Sequence, residues 1–288
     1  MTPSNLAIIL GSAVIHVVAH VAIRRAQDRA AFVWWMLLWG GVLFVPVLFL
    51  IPLHIPPAAW GLMAVSAVFE ALYFGLIAQA YRHGELSLVY PLARGTAPLF
   101  LLIWSAVLLA ERPTAGGMLG VALIAGGLYF INLPRLSAWK EPLLALGHLA
   151  PRLALLAGLS ISMYTVIDRA GVRLVEPLLY TYLALLMTTL LLTPYTLRLV
   201  GWSGLKAELR SSRLNSVAAG FTTMTAYAVV LYAMRNGVPA SYAGATREIS
   251  VVFGAIAGVW LLKESGSAMR VLGSVAVAAG VAVIAFFG

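Results

Sequence analysis

Four ionisable residues lie deep in apolar stretches of this chain: Glu70, Arg94, Arg247 and Glu248. A charge at the centre of a bilayer costs about 2.5–3.5 kcal/mol on insertion scales, so such a residue marks either a solute pathway or a buried ion pair. A carboxylate there binds a proton or a cation, and an arginine binds an anion or holds the carboxylate. Glu70 is the first candidate to carry a proton. Four tyrosines on or beside the same stretches, Tyr73, Tyr90, Tyr227 and Tyr242, could stack on a ligand, donate a hydrogen bond to it, or only pack. His16 and His20 are four apart and so share one helical face. Two imidazoles at that spacing make half a metal site. Without HExxH, any cysteine or a second ligand pair, they are read as polar cavity lining or helix-packing groups, and no metal or cofactor is expected.

What must position these residues is a membrane bundle. The 288 residues are 62% hydrophobic and 10% charged, with mean hydropathy +0.96. An ordinary soluble domain carries about 25% charge, so a water-soluble enzyme is excluded. There are no cysteines, which removes disulfide frameworks, iron–sulfur clusters and thiolate zinc sites. Met1-Thr-Pro-Ser-Asn has no positive segment before its apolar run, so a retained first membrane helix is expected, not a cleaved leader.

A span needs about 20 apolar residues. Turn and charge clusters divide the chain into ten: Asn5–Ile23, Ala31–Ile51, Ala58–Ala80, Leu86–Leu109, Thr114–Leu133, Leu153–Val172, Leu178–Leu197, Leu214–Met234, Pro239–Leu262 and Ser267–Phe287. The sixth is the least clean. Its apolar part ends at Ile167, so either Asp168 and Arg169 lie at the interface or the helix is short and tilted. The connector 134–152 is expected to be an interfacial piece anchored by Trp139 and Lys140. Trp34, Trp35, Trp39 and Trp60 read as interface or lipid-facing residues.

The chain matches itself at an offset of 153 residues. Ala80-x-Arg82-x-Gly84 falls on Ala233-x-Arg235-x-Gly237, Arg94 on Arg247, and Leu108-Leu109-x-Glu111 on Leu261-Leu262-x-Glu264. Fourteen of the 48 positions from Ala80 to Gly127 are identical without a gap, where this composition gives roughly four by chance. Five spans per unit is an odd number, so the second unit enters the bilayer from the opposite side. The expected fold is therefore all-α and integral to the membrane: ten transmembrane helices as two inverted five-helix repeats, 1–133 and 153–288, joined by 134–152. Inverted repeats with a midplane site between them are characteristic of secondary transporters.

The segment Glu85-Leu-Ser-Leu-Val-Tyr-Pro-Leu-Ala-Arg-Gly-Thr-Ala-Pro98, the span ends at Glu111 and Glu264, and Arg247-Glu-Ile-Ser-Val-Val-Phe253 resemble the drug/metabolite transporter superfamily. More narrowly they resemble its ten-helix EamA-type members, over the whole chain. The resemblance implies a secondary exporter of small metabolites across the bacterial inner membrane, with amino acids, aromatic ones among them, as the best precedent. Cationic drugs and sugar phosphates are the alternatives within the fold. An intramembrane enzyme is the alternative outside it, opposed by the lack of HExxH and of a Gly-flanked serine with a partnered histidine. The expected partners are a small-molecule substrate and the lipid bilayer, with no nucleic acid. A monomer is expected, and a homodimer contact competes with it.

Asymmetries between the repeats suggest where a substrate would sit. Glu248 faces Gly95 in the alignment and Glu70 faces Thr223, so the carboxylates have no mates. Pro91 and Pro98 each remove a backbone hydrogen bond from the fourth span, which predicts a broken helix over Tyr90–Pro98 facing the substrate. The ninth span has Gly244 opposite Pro91 and no proline at that depth, another difference between the halves. Spans 1, 3, 4, 6, 8 and 9 are expected around the cavity, and the glycines of spans 5 and 10 at a fixed seam. Basic residues also separate by side: thirteen fall in loops 1–2, 3–4, 5–6, 7–8 and 9–10, and four, Arg112, Arg169, Arg173 and Arg235, on the other side. The positive-inside rule then predicts both termini outside the cytoplasm.

Overall fold

The computed structural model describes residues 1–84, 86–131, 133–262 and 268–288; the side chains of His20, Arg24, 86–87 and 257–262 lie outside that description, as do Lys263 and Glu264. Among the described residues all regular structure is helical: α1 (Pro3–Arg25), α2 (Arg29–Leu43), the short α3 (Val47–Leu50), α4 (Pro57–His83), α5 (Leu86–Leu109), α6 (Ala115–Phe130), α7 (Glu141–Leu144), α8 (Leu149–Gly171), α9 (Pro177–Arg235), α10 (Ala240–Arg247), α11 (Ile249–Leu262) and α12 (Ala268–Phe287). Local chemistry sets the helix starts. The side chains of Thr2, Asp28, Thr114 and Glu176 each accept a hydrogen bond from a backbone N–H of the first turn, at 3.4, 2.9, 2.9 and 2.9 Å. Proline opens α1, α4 and α9, where its missing N–H costs nothing.

These helices make the ten expected spans. α2 and α3 form the second, with a break at 44–46, and α10 and α11 form the ninth. The 59 residues of α9 hold the seventh and eighth, parted by non-helical backbone at Gly201 (φ 71°, ψ 168°) and Ser212 (φ −127°, ψ 21°). The left-handed φ at position 201 is one that glycine adopts without steric cost. Between the two breaks, residues 202–211 pack on the start of α2: Trp35 donates its indole N–H to the Leu205 carbonyl at 2.8 Å, and Glu208 accepts the Asp28 N–H at 2.8 Å.

Loop contacts sort the bundle into two faces. On one, Met1 donates to the Gly288 carbonyl (3.3 Å), the Thr114 hydroxyl donates to the Phe287 carbonyl (2.5 Å), and Glu111 accepts the Ala240 N–H with both oxygens (2.9 and 3.0 Å). This is called the terminal face. On the other, loop 1–2 meets loop 7–8 through Asp28 and Glu208, and Gly84 of loop 3–4 lies so close to Ala150 that an added Cβ would come within 2.6 Å of the alanine methyl. This basic face carries the arginine-rich loops. The two halves interlock, with α4 and α5 packing on α8, and α1 and α2 on α9.

α6 and α12 form the seam. A Cβ at Gly120 would meet the Gly280 carbonyl oxygen at 2.8 Å and one at Gly280 the Gly120 oxygen at 2.6 Å; Gly127 and Gly273 oppose each other's carbonyls at 2.6 and 2.7 Å. Gly120 and Gly273 are repeat mates, as are Gly127 and Gly280, so the crossing is pseudo-symmetric. Small residues here let the backbones touch, which is the packing available to helices in lipid.

Two expectations are corrected. α5 is one continuous helix despite Pro91 and Pro98. Close packing on two sides holds it: an added Cβ at Gly95 would meet the Ala125 carbonyl oxygen at 3.2 Å, and one at Gly158 of α8 would meet the Ala93 carbonyl oxygen at 2.8 Å. The interruption lies instead in the ninth span, which has no proline there. Glu248 donates its N–H to Ala245 at 3.0 Å and Val251 to Glu248 at 2.9 Å, a 3₁₀ step between α10 and α11. Trp34 and Trp35 are buried and do not face lipid, with Trp34 donating to the Thr193 hydroxyl at 2.9 Å. Trp60 is exposed as expected. Asp168 and Arg169 continue α8, which runs to Gly171; both are buried, and Arg169 lies 3.6 Å from Glu111 at the terminal face. In the connector the Lys140 ammonium lies 5.2 Å from the Trp139 ring centroid.

Candidate functional site

Between the halves lies a cavity of about 310 Å³, within the size range of small-molecule sites. Its rim, formed by Ile23, Arg29 and Tyr81, is at the basic face; its floor, Tyr164, Tyr227 and Arg247, is near mid-depth. The cavity therefore opens to the basic face and is closed toward the terminal face. It draws on spans 2 and 7 as well as the six expected, through Arg29, Val33, Leu185 and Thr196.

Eight of the ten residues expected at the site line this cavity: His16, Glu70, Tyr73, Tyr90, Arg94, Tyr227, Arg247 and Glu248. The side chain of His20 lies outside the described residues. Tyr242 is corrected. Its hydroxyl oxygen accepts the Thr114 N–H at 2.8 Å, and its ring lies against Gly117, where an added Cβ would be 1.9 Å from the hydroxyl oxygen. It caps α6, a structural duty, because the tyrosine faces the α6 N-terminus and not the cavity.

The two repeat-related arginines differ in their partners. Arg94, from the middle of α5, donates to both oxygens of Glu248 at 3.0 and 3.3 Å. That ion pair joins the halves at mid-depth and neutralises both charges. Arg247, at the end of α10, has no carboxylate within ion-pair distance among the described residues; its guanidinium lies over the Tyr227 ring, 5.4 Å from the centroid. Glu70, at the centre of α4, likewise forms no ion pair among the described residues and accepts one hydrogen bond, from Thr188 at 2.8 Å. Besides Arg29 at its rim, the cavity thus offers at its inner end one cation, Arg247, and one carboxyl group, Glu70, outside any ion pair among the described residues.

Tyrosines surround them. Tyr73 and Tyr164 have ring centroids 6.4 Å apart, and Tyr164 and Tyr227 meet edge to face at 6.3 Å. Tyr164 completes this aromatic floor and was missed from the sequence, although the pattern of in-span tyrosines would have found it.

Asp168 is the larger omission. Only 1% exposed, it accepts hydrogen bonds from the hydroxyls of Ser66, Tyr180 (2.9 Å) and Tyr227. Its donors come from α4 and both arms of α9, so nothing near it in sequence shows that it is satisfied in the interior. The only available signal was its place at the end of an unbroken apolar run.

The model of the EamA-like transporter family matches residues 4–133 and again 149–286. A solved protein crystal structure shares the fold with a TM-score of 0.75 at 16% identity, over 98% of this chain and 96% of that one. No curated protein matches the chain. With both family matches spanning nearly all of a ten-span bundle around a solute-sized cavity, the chain belongs to the EamA-like transporter family of multi-pass membrane transporters of small solutes.

Proposed function

We propose that this protein exports amino acids, aromatic ones foremost, from the cytoplasm across the bacterial inner membrane by alternating access. The observation that carries the reading is the division of charge in the cavity: Arg94 is neutralised by Glu248, while Arg247 and Glu70 have no ion-pair partner among the described residues. One cation and one carboxylate match the carboxylate and ammonium of a zwitterion. The faces of Tyr73, Tyr90, Tyr164 and Tyr227 suit an aromatic side chain. A phosphate ester would want both arginines free, and a cationic drug has no use for Arg247. Glu70 holds either a proton or the substrate ammonium, so it is also the site at which a proton gradient would be coupled to export. With thirteen basic residues on the side where the cavity opens, the mouth is read as cytoplasmic and both termini as periplasmic.

Proteoliposomes containing only this protein test the reading. Uptake of a labelled aromatic amino acid is competed with the twenty amino acids, cationic drugs and sugar phosphates. Arg247→Gln removes charge-assisted hydrogen bonds worth about 1.5–3 kcal/mol, so amino-acid competition should weaken about 10–150-fold. Competition dominated by a drug or a sugar phosphate, or an unchanged Arg247→Gln, overturns the assignment.

A further inference from the structure

Asp168 has no part in the site as described, yet it lies between the cavity floor and the terminal face. It accepts hydrogen bonds from Ser66 on α4, Tyr180 on the first arm of α9 and Tyr227 on the second, and it belongs to α8 itself. Four spans, the third, sixth, seventh and eighth, are thereby joined at one carboxylate. One turn further toward the terminal face, Val172 is 0% exposed. No passage to that face can open between these helices while the three bonds stand, because they cross the cavity's closed end. Hydrogen bonds to an ionised acceptor are roughly twice as strong as neutral ones, so the closure is a specific polar one and not only apolar packing.

Tyr227 belongs to both systems. Its hydroxyl donates to Asp168, and its ring carries the Arg247 guanidinium from the cavity side. We propose that Asp168 is the latch of the gate that closes the cavity at the terminal face, and that Tyr227 relays to it the occupancy of Arg247. An anionic group in the cavity draws Arg247 off the ring, and Tyr227 becomes free to turn and release one of the latch's three bonds. Asp168 is thus a positioning residue for transport, acting through Tyr227. The proposal rests on the alternating-access reading given above.

The chain has no cysteine, so Val172→Cys supplies a unique thiol behind the latch. Its reaction with a membrane-impermeant maleimide is timed in detergent-purified protein, with and without a saturating aromatic amino acid. Labelling should be slow in the parent, at least tenfold faster with Asp168→Asn or Tyr180→Phe, and faster with the amino acid in the parent but not with Arg247→Gln. A thiol at Leu128, buried in the α6–α12 seam, should stay slow throughout. If it too becomes fast in Asp168→Asn, that variant has unfolded and Tyr180→Phe, which keeps the ring, decides. Equal rates in parent and Tyr180→Phe overturn the latch. Fast labelling of the latch variants with no response to any amino acid would leave the latch standing and remove the substrate reading; amino-acid transport with unchanged labelling would do the reverse.

Discussion

Glu248→Gln would leave the Arg94 guanidinium facing a neutral amide in the interior. The Arg94 side chain is 19% exposed and that of Glu248 6%, with 3.0 Å between them. Breaking a buried ion pair from one side costs about 3–5 kcal/mol, against about 0–1 for a surface pair. Arg94 keeps some contact with the cavity, which places the expected loss near the lower figure. At ~2 °C per kcal/mol for a chain of this size, 3 kcal/mol lowers Tm by ~6 °C. Arg94→Gln should cost a similar amount, because it strands the carboxylate. The double variant Arg94→Gln/Glu248→Gln strands neither, and its Tm should recover to within ~2 °C of the parent. Thermal unfolding of all four proteins in one detergent closes the cycle, and these figures give a coupling of about 5 kcal/mol. Single variants no less stable than the double would refute the pair as a structural joint. So would tighter amino-acid binding by Glu248→Gln, since that would make Arg94, released from its partner, the group that takes the cargo.

Tyr242→Phe removes the acceptor of the Thr114 N–H and should lower stability by about 1 kcal/mol while leaving uptake unchanged; a loss of uptake would return Tyr242 to the site. Gly127→Val places atoms within 2.6 Å of the Gly273 carbonyl oxygen, so overpacking of about 1–3 kcal/mol should reduce Tm, whereas Gly126→Ala, with nothing within 4 Å of its added Cβ, should be neutral in the same melt. Glu70→Gln should abolish the dependence of uptake on a pH gradient, and retained coupling would exclude Glu70 as the proton carrier. A protease added to inverted vesicles should leave tags at either terminus intact; cleavage would reverse the assigned orientation.

All ten spans were legible because each is a long apolar run bounded by charge, proline or glycine, and the pairing of halves was legible from the 153-residue offset. Charges stranded in apolar runs led to Glu70, Arg94, Arg247 and Glu248, since the cost of burying them leaves few reasons for their presence. Residues defined by distant partners were less visible. Tyr242 looks like a cavity residue until Thr114, at the start of a helix in the other half, is brought to it. The Asp168 donors lie 12, 59 and 102 positions away. The prolines of α5 misled for a related reason: a missing backbone bond is a local penalty, but whether the helix breaks depends on packing by α6 and α8.

At the α6–α12 seam, reciprocal glycine-to-carbonyl contacts bring two backbones together, with Ile124, Val277 and Ile284 packed directly against the glycines. Rotamers are what let packed helices slip and absorb strain, and the β-branched side chains beside these backbone contacts have few to adjust. The seam therefore acts as a stiff fulcrum, so a displacement of one half reaches the other undiminished and the halves move as levers. Softening or jamming this joint changes the rate of the swing in both directions alike. It leaves the balance between the two open states to closures such as the one at Asp168, which the near-symmetric frame does not itself supply.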